Sequence, residues 1–112
     1  ICVSDDRPRQ QLVALTDNGC ALIRPSFDAE IRDTDFFARN FTPTAGGFLP
    51  GGKFVAVTHD AVSLFRVDEQ GAGFVKNLET AIERRRVAVL PTIDRNRCAV
   101  LDAAGEIRIY EV

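Results

Sequence analysis

KFVAVTHDAVSLFRV, residues 53–67, is an apolar run, a short polar break and a second apolar run. Its β-branched and aromatic residues suit a pleated strand. The polar break holds His59 and Asp60, the latter of the kind that bonds back to its own backbone in a turn. The stretch therefore predicts a β-hairpin. Nearly the same statement occurs twice more, as LVALTDNGCALIRP at residues 12–25 and CAVLDAAGEIRIYEV at residues 98–112. Aligned on Ala14, Ala56 and Ala99, the copies stand 42 and 43 residues apart, since 56 − 14 = 42 and 99 − 56 = 43. A repeat of this kind is one supersecondary unit that buries its apolar face only by stacking against its neighbours.

The segments ahead of each hairpin match as well. ICVSDDRPR (1–9), FLPGGK (48–53) and VLPTIDRNR (89–97) are each an apolar strand followed by a turn with a basic residue, and Asp-Arg-x-Arg recurs at residues 6–9 and 94–97. Strand, polar turn, strand, tight turn, strand is the inner part of a four-stranded propeller blade, and the period falls in the band of roughly 40–45 residues of one blade. The reading is an all-β chain of about three antiparallel blades of an incomplete β-propeller, divided approximately into residues 1–43, 44–86 and 87–112. The alternative is a small β-sandwich or barrel, which also spaces strands at roughly 8–12 residues. The expected core is Val55, Val57, Leu64, Val100, Ile107 and Ile109.

FLPGGKFVAVTHDAVSLFRV and VLPTIDRNRCAVLDAAGEIRIYEV resemble WD-repeat (Trp-Asp repeat) β-propeller blades along almost the whole chain. Tyr110-Glu111 stands where such a blade carries its Trp-Asp pair; the other copies have Phe65-Arg66 and Ile23-Arg24 there. The Gly-His pair that opens a typical repeat is absent, and the one histidine, His59, lies in a hairpin turn, so the resemblance is to a degenerate propeller. It implies a non-catalytic protein–protein interaction scaffold.

Propellers close with four to eight blades, which at this period needs at least roughly 170 residues. With 112 residues, Ile1 first and no methionine, the chain is expected to be an excerpt of a longer polypeptide or to complete its sheets with a partner chain. The partners expected are other protein subunits of a larger assembly, or the remaining blades of the same polypeptide. Fourteen Lys and Arg against sixteen Asp and Glu give a net charge of −2, which supplies no general pull toward nucleic acid. No apolar stretch approaches the ~20 residues of a membrane helix, so no membrane partner is expected. Three cysteines, Cys2, Cys20 and Cys98, lie in or beside apolar strands without CxxC spacing, which points to free thiols and an intracellular site, cytoplasmic or nuclear. Asn40-Phe41-Thr42 is a glycosylation sequon, a pattern short enough to arise by chance.

The connecting segments differ from repeat to repeat, and variable loops on a rigid scaffold are where recognition usually sits. Residues 25–47 carry Phe27, Phe36, Phe37 and Phe41 among Asp28, Asp33, Asp35 and Arg39. Residues 68–86 offer a short strand at 74–78 and end in ETAIERRR, whose helix formers predict a short helical turn. The candidate interaction residues are Phe36, Phe37, Arg39, Phe41, Arg84, Arg85 and Arg86, the residue types that anchor interfaces. Arg84–Arg86 could instead grip phosphate, which would make the chain an RNA-associated module, though Glu79 and Glu83 beside them favour a solvated turn. Asp28, Asp33 and Asp35 lack the glycine and terminal glutamate of a calcium loop. His59-Asp60 has no placed nucleophile, and Asp60 reads as a turn residue. No GxGxxG or GxxxxGK occurs, so no cofactor, metal or catalytic residue is assigned. A further alternative is part of an enzymatic propeller, of the lactonase or quinoprotein type, whose active-site residues lie outside this segment.

Overall fold

The structure is a computed structural model, and it describes residues 2–3, 11–23, 36–39, 42–68, 71–80, 85–91 and 94–112. Among these every regular element is a strand: β1 (Cys2–Val3), β2 (Leu12–Thr16), β3 (Gly19–Ile23), β4 (Phe36–Arg39), β5 (Ala45–Leu49), β6 (Lys53–Val57), β7 (Ala61–Asp68), β8 (Gly71–Thr80), β9 (Arg86–Pro91), β10 (Arg97–Asp102) and β11 (Ile107–Glu111). They form three antiparallel meanders, β1-β2-β3-β4, β5-β6-β7-β8 and β9-β10-β11, and none closes into a barrel. The leading strands of consecutive sheets lie together, β1 with β5 and β5 with β9, and the outer strands β4 and β8 also meet.

The three hairpins read from the repeat are β2/β3, β6/β7 and β10/β11, each in regular antiparallel register. Local chemistry closes them. In the first turn the Thr16 hydroxyl donates to the Gly19 carbonyl at 3.1 Å and accepts from the Asn18 N–H at 3.2 Å. Gly19 has φ +136°, and a Cβ there would stand 1.8 Å from the Ala38 carbonyl oxygen, so only glycine fits between β3 and β4. In the second turn it is Thr58, not Asp60, that organises the backbone, its hydroxyl accepting from the N–H groups of Asp60 and Ala61, both at 3.2 Å. In the third turn Asp102 Oδ1 accepts from the N–H groups of Ala104 and Glu106, both at 2.9 Å. The turn ahead of β10 is held by Asp94, whose Oδ1 accepts from the Asn96 N–H at 2.9 Å.

Strand β6 of the middle sheet is buried on both faces, which is why Phe54 to Val57 is an unbroken apolar run without polar alternation. Toward the first sheet it presents Phe54, Ala56, Phe65 and Val67, which pack with Val13, Cys20 and Ala38. Toward the third it presents Val55, Val57, Val62 and Leu64, which pack with Cys98 and Val100. Gly46 and Gly47 lie inside β5. They keep the leading strands close: a Cβ on Gly46 would stand 2.8 Å from Phe54 Cζ, and one on Gly47 3.2 Å from Val89 Cβ.

Two expectations are corrected. Val55, Val57, Leu64 and Val100 are buried as expected, but Ile107 and Ile109 are 55% and 64% exposed, because they alternate with Arg108 and Tyr110 on β11 and look away from the middle sheet. The alignment of Ala99 with Ala56 slips by one residue. Ala56 faces back toward the preceding sheet, whereas in the third sheet Cys98 and Val100 do so. Val100 is thus the structural counterpart of Ala56, and with a side-chain period of two a single slip exchanges the faces. Of ETAIERRR, Glu79 and Thr80 close the ten-residue β8 and Arg86 opens β9, while residues 81–84, where a short helical turn was expected, lie outside the described residues.

Candidate interaction surface

Of the residues singled out for recognition, Phe36, Phe37 and Arg39 lie on β4, the outer strand of the first sheet. Phe37 turns inward. Its ring meets Phe54 edge-on at 6.0 Å and Phe65 at 5.2 Å, so it is a core aromatic tying the first sheet to the second. Phe36 is half-buried, and the exposed Arg39 guanidinium lies 5.2 Å from its ring centroid, a cation–π pair on the surface. Phe41 and Arg84 fall outside the described residues. Arg85 is exposed, and its carbonyl accepts from the Ala103 N–H at 2.9 Å.

Arg86 is drawn inside. At 2% exposure it is 3.3 Å from Asp102 Oδ2, itself buried, and 3.9 Å from Glu79 Oε2 of β8, while its Nε has no hydrogen-bond partner. Glu79 also receives Arg108 at 2.8 Å and the Tyr110 hydroxyl. The arginine run is therefore split: Arg85 faces solvent, and Arg86 belongs to a buried charge cluster that links the second and third sheets. Burial pushes the Tyr110 hydroxyl up, and the hydrogen bond to Glu79 and its negative charge push the same way, opposed by Arg86 and Arg108. Pairing with Asp102 explains how a charge can sit here at all, since an unpaired buried guanidinium would be prohibitively costly.

Sequence reading missed Asp102 and Glu79 as partners of Arg86, because residues 79, 86 and 102 meet only once the second sheet stacks on the third. One signal was present: an aspartate opening the tight AAGE turn is a typical backbone acceptor.

The buried thiols are inert packing groups. Burial pushes the Cys98 thiol up to about 11, far from a reactive thiolate. Cys20 and Cys98 are both fully buried. His59 and Asp60 are exposed. Thr42, the last residue of the sequon, is exposed and donates to the Asp17 carbonyl at 3.1 Å. Among the described residues no three His, Cys, Asp or Glu side chains gather as metal ligands, and no helix is long and apolar enough to cross a membrane. An open groove of about 310 Å³ runs between Arg66 and Asp68 of β7 and the start of β8, with Phe74 and Val75 along it. The other exposed apolar residues concentrate on the third sheet, at Val87, Leu90, Ile107 and Ile109. No family model, curated protein or solved structure matches the chain.

Proposed function

We propose that this chain is a non-catalytic protein–protein interaction scaffold, a WD-repeat-like partial propeller that works within a larger assembly. The observation that carries the reading is the stacking of three consecutive antiparallel meanders with their leading strands together, strands β6 and β7 of the middle one packing against a neighbour on each face. Such a stack is rigid, and rigid sheets displaying variable edges and loops suit recognition. The contact residues are Phe36 and Arg39 on β4 and Arg85 ahead of β9, an aromatic and two arginines at the surface. Phe37 contributes from beneath by holding β4 in place. Protein subunits are the partners, and direct nucleic-acid contact is disfavoured because Arg86 is buried against Asp102, away from any phosphate. Three cysteines without CxxC spacing, two of them buried, fit an intracellular, cytoplasmic or nuclear, setting.

The test is recovery of native complexes with the wild-type chain, Phe36→Ala/Arg39→Ala and Arg85→Ala, followed by identification of what co-purifies. Loss of specific proteins with retained thermal stability supports the scaffold. Recovery of the same proteins with all variants sinks these contact residues, and capture that collapses steeply with salt and depends on RNA sinks the protein-partner reading.

A further inference from the structure

We propose that the outer face of the third sheet is a self-association surface that packs against the same face of a second copy of this chain. Two cross-strand rows make up this face. Leu90, Ala99 and Ile109 form one, and Ala88, Leu101 and Ile107 form the other, reading across β9, β10 and β11. No charged side chain interrupts the six positions, yet Leu90, Ile107 and Ile109 are 43%, 55% and 64% exposed.

The pattern of sizes specifies the occupant. Along β9 a large residue in one row neighbours a small one in the next, and along β10 the order is reversed. A two-fold axis lying between two such faces, perpendicular to the strands and passing between the rows, exchanges the rows. Leu90 of one copy then sits over Ala88 of the other, Ala99 over Leu101, and Ile109 over Ile107. Large meets small at β9 and β10, and each contact is made twice, as an isologous interface requires. The internal interfaces follow the same rule, with Val89 beside Gly47 and Leu15 beside Gly46. The adjoining cross-strand pair of opposite charges, Arg97 and Glu111, falls outside the two rows, where a polar rim belongs.

Six positions are few beside the roughly 20–30 residues a side of a standard interface, so the dimer is reversible and concentration-dependent. It uses a face distinct from the β4 and Arg85 surface, and it stands or falls independently of the partners assigned there.

Sedimentation equilibrium of the full chain over a concentration series tests it. The wild type is expected to show a reversible monomer–dimer equilibrium, and Ile109→Lys, an exposed position whose substitution leaves the fold intact by circular dichroism, to raise the dissociation constant about tenfold or more. Row exchange has its own readout. In an equimolar mixture of Ile107→Cys and Ile109→Cys chains, the mixed 107–109 disulfide is expected to exceed both 107–107 and 109–109 disulfides, assigned by mass spectrometry. A wild type that stays monomeric at every concentration, including one whose face is covered by a different protein, overturns the proposal. So does a dimer indifferent to Ile109→Lys, or an excess of the like disulfides.

Discussion

Removing the Asp102 carboxylate should damage this protein far more than removing the arginine it pairs with. Asp102 holds three groups at once: Arg86 at 3.3 Å and the N–H groups of Ala104 and Glu106, both at 2.9 Å. Asp102→Ala opens the β10/β11 turn and strands a buried guanidinium whose other carboxylate, Glu79, is 3.9 Å away. Breaking a buried pair from one side costs about 3–5 kcal/mol. Arg86→Met leaves the aspartate with its two backbone donors, replaces the guanidinium by an apolar chain and removes an unpartnered Nε, so its cost should stay under about 2 kcal/mol. Asp102→Asn, which keeps an acceptor oxygen but not the charge, should fall between. Urea denaturation followed by circular dichroism reads these differences; with a slope of about 1–2 kcal/mol/M, Asp102→Ala should lower the midpoint by about 1.5 M or more. Arg86→Met in the Asp102→Ala background should recover part of the loss, a coupling of about 1–3 kcal/mol. Equal costs for the two single variants, or additivity within about 0.5 kcal/mol, would refute the claim that a stranded charge dominates.

Gly19→Ala should destabilise by about 3 kcal/mol or more, because its Cβ collides with the Ala38 carbonyl and the strained φ remains; loss of cooperative melting would show it. Phe37→Ala should cost about 3–4 kcal/mol in the same urea assay by emptying the contact with Phe54 and Phe65, while Arg85→Ala should stay within about 0.5 kcal/mol. Stability should fall as pH rises from about 9 to 11: in that window the unfolded Cys98 thiol ionises while the folded one, raised from 9.0 to about 11, keeps its proton. The loss should be on the order of 1–3 kcal/mol and shrink in Cys98→Ala; an unchanged alkaline slope in that variant would assign it elsewhere. Tyr110→Phe should cost about 1 kcal/mol through the lost bond to Glu79, measurable as a lowered melting temperature.

The site was less legible than the fold. Arg39 and Arg85 are exposed and Phe36 is half-buried, but Phe37 and Arg86 are drawn inside, and nothing in a run of three arginines or a pair of phenylalanines distinguishes the inner member from the outer. Which of two adjacent side chains points inward is set by strand parity. On β4 and β9 that parity is altered by the register shifts at Cys20/Ala21 and Leu101/Asp102, irregularities without a local sequence signature.

What the amino-acid order by itself determined is local: all-β structure, three hairpins, and turns at residues 17–18, 58–60 and 103–106. Apolar periodicity and turn chemistry act over a few residues and are written into the chain directly. What only the tertiary structure decided is which face each sheet turns to its neighbour. The third repeat is offset by one residue from its apparent alignment, and a period of two converts that slip into a complete exchange of faces. Stacking therefore buries Val100 and exposes Ile107 and Ile109, and it brings Glu79, Arg86 and Asp102 into one charge cluster. Contacts between separate sheets depend on how whole sheets pack, which no local pattern encodes.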